Sequence, residues 1–108
     1  MFVMPFPKAN LQEMQDRLLW HGRMGTVFAD RGLIDQHLGE PNRLDLCDKV
    51  TMGWVFATPH GIAEIRDYWW NSPGEWSLTG ENKDAVEDLS AALLLLGFDV
   101  SGWECVLK

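Results

Sequence analysis

The chain has 108 residues, of which 46% are hydrophobic and 23% charged. That is the size and balance of one ordinary globular domain spanning 1–108, and it excludes a fibrous, low-complexity or wholly disordered class. Sixteen acids against nine bases leave a net charge of −7, which argues against direct nucleic-acid binding by phosphate neutralisation.

Residues 1–7 are apolar, but the six before Pro7 are too few for a signal-peptide core and include no base, so an edge strand or a strap over the core is expected. No run approaches the roughly 18 apolar residues of a membrane span. Asn10-Leu11-Gln12-Glu13 is an Asn variant of the capping box, and Leu11, Met14, Leu18 and His21 recur at helical spacing up to Gly22. A helix over about 11–21 follows. Thr26 to Ala29 reads as a short strand and Asp30-Arg31-Gly32 as a turn. Leu33, Ile34, His37 and Leu38 then suggest one or two helical turns ended by Gly39 and Pro41.

Val50, Met52, Trp54 and Phe56 alternate with Thr51, Gly53, Val55 and Ala57, the period of a strand with one buried face. Leu44 and Leu46 alternate just before it, and Asp48-Lys49 between them makes a hairpin the simplest account. Thr58-Pro59 has the form of a helix start, and Ile62, Ile65 and Trp69 follow at helical spacing. A strand there would put Glu64 and Arg66 on one face with Ile62, so a helix is expected. Residues 71–74 read as a turn and 76–78 as a short strand. The clearest helix is 83–96, with Val86, Leu89, Leu93 and Leu96 as its buried stripe and Ala85 and Ala92 beside it. Phe98 and Val100 begin a last strand whose parity switches at Gly102, as at a β-bulge. Strands joined by hairpins, with helices at irregular intervals, define an α+β class: one small domain, a mostly antiparallel sheet and three to four helices packed on it.

Little in the chain points to catalysis. There is no Gly-x-Gly-x-x-Gly, P-loop or Gly-x-Ser-x-Gly. No two of His21, His37, His60, Cys47 and Cys105 lie closer than ten positions, so the local ligand pairs of a zinc site are missing and no metal or cofactor is expected. Cys47 or Cys105 with His60 would form a nucleophile–base pair, but both thiols have the apolar neighbours of inert strand cysteines. Two cysteines are too few for a disulfide framework. Reduced thiols and a cytoplasmic location are the default, with one disulfide left open.

Two features exceed the background. Residues 1–54 carry six bases and seven acids, whereas 55–108 carry three bases and nine acids. Six of the twelve aromatics are tryptophan; Trp54, Trp69 and Trp103 fall on expected buried faces, whereas Trp20, Trp70 and Trp76 do not. Large aromatics outside a core are typical interface anchors. On the 83–96 helix, Asp84, Glu87 and Asp88 lie opposite the apolar stripe, and so do Leu94 and Leu95. Trp70, Trp76, Glu81, Asp84, Glu87 and Asp88 are therefore the candidate partner-binding residues.

The reading is a small acidic protein-binding module, a stoichiometric inhibitor or regulator of a larger protein. Immunity-type proteins and phage proteins that block host defences share this profile. Its partner would be basic or itself a nucleic-acid-binding protein, with the acids mimicking nucleic acid. No membrane and no direct nucleic acid are expected. The alternative is a small enzyme or ligand-binding domain with an aromatic-lined pocket using His60. A homodimer through Leu94 and Leu95 is a third arrangement.

Overall fold

In the computed structural model, which describes residues 3–9, 25–41, 43–47, 50–68 and 73–101 (backbone only at 43–47, 50, 51 and 68), the alternating stretch after Val50 is a strand. It belongs to a six-stranded sheet. In chain order the elements are β1 (Gly25–Phe28), α1 (Arg31–Leu38), β2 (Arg43–Cys47), β3 (Val50–Thr58), β4 (Gly61–Tyr68), β5 (Glu75–Gly80), α2 (Lys83–Leu95) and β6 (Asp99–Ser101). The strands lie in the order β2-β3-β4-β5-β1-β6, and every neighbouring pair is antiparallel. Beyond the stretch paired with β2, the outer edge of β3 is taken by Pro7–Ala9. The Ala9 N–H donates to the Val55 carbonyl and the Ala57 N–H to the Pro7 carbonyl, each at 2.9 Å. Of the segment 1–7, expected as an edge strand or a strap, Pro7 joins this pairing, and Met4 and Phe6 lie half-buried against the main core.

The class is α+β, with two helices among the described residues where three to four were expected. The expected helix at 11–21 lies outside the described residues, as do Trp20, Trp69, Trp70, Trp103, His21, Cys105 and Gly102. The other difference is a correction. Residues 61–68 form β4, paired in one register with β3 from Met52↔Asp67 to Thr58↔Gly61, with a shift between Met52 and the last pair, Val50↔Tyr68. Thr58-Pro59-His60-Gly61 is accordingly the tight turn of a hairpin rather than a helix cap. Gly61 sits at φ +141°, a backbone region that side chains with a Cβ rarely enter.

The objection to a strand was two charges on one face, and the structure answers it by pairing them. Glu64 and Arg66 are both buried, on the same face of β4, and the guanidinium Nε–H donates to the Glu64 carboxylate. Their cross-strand neighbours are Val55 and Gly53 on β3 and Thr79 and Ser77 on β5. Gly53 makes room: a Cβ there would collide with the Glu64 carboxylate. A paired, hydrogen-bonded charge tolerates burial that an isolated one would not.

The middles of β3, β4 and β5 are therefore buried on both faces. Val27, Trp54, Phe56, Ala63, Ile65, Trp76 and Leu78 pack with both helices in the main core, while Val55 and Ile62 pack with Ala9 on the other face. Trp54 and Trp76 meet edge to face, with ring centroids 5.4 Å apart and planes at 85°. Their indole N–H groups reach the two ends of α1. Trp76 donates to the Ala29 carbonyl at 2.8 Å and Trp54 to the Gly39 carbonyl at 2.9 Å. Arg31, the first residue of α1, also lies over the Trp54 ring at 5.4 Å. The helix thus begins one residue into the expected turn and ends at Gly39 as expected.

Candidate functional site

Helix α2 starts where the sequence places it, because Asn82 caps it. The Asn82 side-chain oxygen accepts from the Ala85 N–H at 2.8 Å. Ala85, Val86, Leu89, Ser90, Ala92 and Leu93 are buried against the sheet. Leu96, expected in the stripe, is the C-cap and only half-buried. The opposite face reads Asp84, Glu87, Ala91, Leu94 and Leu95, positions that recur at helical spacing, with the half-buried Asp88 at its border. Asp84, Glu87 and Ala91 are exposed, as are Leu94 at 57% and Leu95 at 66%. One outer face therefore carries acids over its first turns and leucines over its last.

The candidate partner residues divide. Asp84 and Glu87 stand on this face, and neither has an ion-pair partner among the described residues. Glu81 lies just before the helix, half-buried, and its carboxylate accepts from the Ile62 N–H at 3.0 Å, so it fastens the start of β4. Trp76 is only 6% exposed. It is an inward position of β5 that anchors α1, which takes it off the surface where the sequence reading had it. Trp70 lies outside the described residues.

Asp88 faces the β3–β4 turn. Its Oδ2 lies 2.8 Å from His60 Nδ1 and accepts the His60 backbone N–H at 3.2 Å. The Asn82 amide meanwhile donates to the His60 carbonyl at 2.9 Å. One residue of the turn is thus clasped by two residues of the helix. The hydrogen bond and the charge of Asp88, with smaller contributions from Asp84 and Glu87, raise the imidazole above its ordinary value. Burial pushes the Asp88 carboxyl up. Hydrogen bonds from the His60 ring, the Thr58 hydroxyl and the His60 N–H outweigh this and hold it below the usual carboxylate range. Nothing in the sequence signals this contact, since the two residues are 28 positions apart and meet only because 61–68 is a strand.

His37 is placed apart from this clasp, edge-on to Phe98 with centroids 5.6 Å apart. Among the described residues no three His, Cys, Asp or Glu side chains converge as metal ligands would. No helix among them is long and apolar enough to cross a membrane. No protein-family model matches the chain, and no match is found among curated proteins or solved structures.

Proposed function

We propose that the chain is a small acidic protein-binding module, a stoichiometric inhibitor or regulator that docks on a larger cationic protein through the outer face of α2. The observation that carries the reading is the composition of that face: Asp84 and Glu87 near one end, and Leu94 and Leu95 more than half exposed at the other. Exposed leucines are costly to leave in water, and among the described residues Leu94 and Leu95 belong to neither core cluster, whereas a partner that covers them recovers the burial energy. The acids add long-range attraction for a basic surface and set which partners approach. Where the target binds nucleic acid, the same acids would occupy its phosphate-binding groove.

The second reading, an enzyme using His60, has the Asp88 contact in its favour. That side chain is 57% exposed on a hairpin turn, however, and the clasp with Asn82 and Asp88 gives the contact a structural purpose without catalysis. The binding reading is tested by immobilising wild type and a folded Asp84→Asn/Glu87→Gln/Leu94→Ser/Leu95→Ser variant and offering both the same host extract. It is supported by a protein held one-to-one by wild type at physiological salt and lost from the variant. Equal retention by both, or calorimetric affinity of wild type for duplex DNA at that salt, would overturn it.

A further inference from the structure

His60 stands against the proposed docking face, and its surroundings are one-sided. From α2 it meets Asp88 directly, with Asp84 and Glu87 contributing through space. From the junction before the helix come the neutral cap Asn82, bonded to its carbonyl, and Glu81, bonded to the backbone two residues on. Its own turn supplies Thr58, which touches the same Asp88 carboxylate. Among the described residues no cation contacts the ring.

We propose that His60 is a charge trim for the docking face of α2: as the pH falls it takes up a proton in place, offsets the charge of Asp88, and weakens the attraction of the face for a cationic partner. This rests on the reading of that face given above.

The chemistry follows from the geometry. A carboxylate accepts only, so the Nδ1 beside Asp88 Oδ2 must carry the hydrogen in the neutral ring. The proton from solvent is then taken up at Nε2, on a side chain 57% exposed. Neither hydrogen bond to Asp88 need break, and neither does the bond from Asn82. The backbone stays where it is while one positive charge appears beside three acids. The device therefore changes the field of the face without changing its shape. The environment also moves the transition in the useful direction, since the surrounding carboxylates raise the imidazole above its ordinary value.

Two measurements test this. In a nitrogen-15 NMR titration, the neutral ring should be the Nδ1–H tautomer and should titrate above free histidine, with Asp88→Asn bringing it back. An Nε2–H neutral tautomer, or a titration unmoved by Asp88→Asn, overturns the proposal. In stopped-flow association with a lysine-rich amphipathic helical peptide, the wild-type on-rate should fall about twofold from the basic to the acidic side of that titration, the effect of one unit charge about 10 Å away in water. His60→Gln should show no such step. Binding that is equally pH-dependent in both proteins refutes the trim and leaves the docking face standing. No binding of the peptide by wild type on either side refutes the face, and the trim with it.

Discussion

Replacing Leu89 by alanine tests the placement of α2 most sharply. The side chain is fully buried, at 0% exposure, in the main cluster with Ile65, Leu78, Val86 and Leu93. Leu→Ala removes three carbons. At about 0.8 kcal/mol per buried methylene the transfer loss is about 2.4 kcal/mol. A cavity that neighbours fill only in part adds to this, for a total of about 3–4 kcal/mol. For a domain near this size each kcal/mol lowers Tm by about 4 °C or more, so a fall of about 12 °C or more is expected. The control is Leu95→Ser on the opposite face, where 66% of the residue is already exposed and the change should stay within about 0.5 kcal/mol. Thermal and urea unfolding of both variants, followed by far-UV circular dichroism, gives the comparison. A Leu89→Ala midpoint within a degree or two of wild type would refute the assignment of the buried face. So would a Leu95→Ser loss as large as that of Leu89→Ala.

Gly61→Ala should destabilise by about 1–3 kcal/mol, because its φ of +141° is strained for alanine and a Cβ there would strike the Glu81 carboxylate. Chemical denaturation reads this directly, and an unchanged midpoint would show that the turn is wrongly drawn. The clasp predicts a pH window. Asp88 is held below its ordinary value, so its contribution is complete above the ordinary carboxylate range and is lost as the pH falls through its folded value. His60 is raised, so its contribution is complete below about pH 6.5 and is lost as the pH rises through its folded value. The stability advantage of wild type over Asp88→Asn should therefore be largest between about pH 4 and 6.5 and shrink on either side. An advantage that grows steadily up to pH 9 would contradict the pairing.

Much of the fold was legible wherever one face of an element is apolar and the other polar. The 83–96 periodicity predicts α2 within a residue, and the 50–57 alternation predicts β3, as Leu44 and Leu46 predict β2. β3 is also buried on both faces, but its large and small residues still alternate; the reading fails at 61–68 because that strand is buried on both faces and has no such alternation. Ile62 and Ile65, three apart, then imitate a helix although they face opposite sides of the sheet. The Glu64–Arg66 pair hides the strand further, since sequence alone does not show that two charges two residues apart will neutralise each other under cover. Thr-Pro-His-Gly was ambiguous for a related reason: Thr-Pro opens helices and also leads into turns, and Gly61 decides for the turn only through its φ.

The candidate surface was legible in part. Asp84, Glu87, Leu94 and Leu95 come straight from the helical wheel. Trp76 was misplaced because a tryptophan after a Pro-Gly turn gives no sign of its strand parity, and it is that parity which turns it inward against Trp54. Asp88 reads on the wheel as one more outward acid, yet it is tied to a turn that a helix at 61–68 would not have placed there.

The central claim is that the acids on the outer face of α2 serve association rather than folding. Its most direct measurement is the association rate of a protein retained by the wild-type chain, taken at two salt concentrations for wild type and for Asp84→Asn/Glu87→Gln. Both side chains are exposed, so the variant should melt within a few degrees of wild type. Its on-rate should be several-fold lower at low salt, and its dependence on salt should be weaker. A variant that folds normally and associates with the wild-type rate and the wild-type salt dependence would contradict the claim and leave these acids as a solubility device.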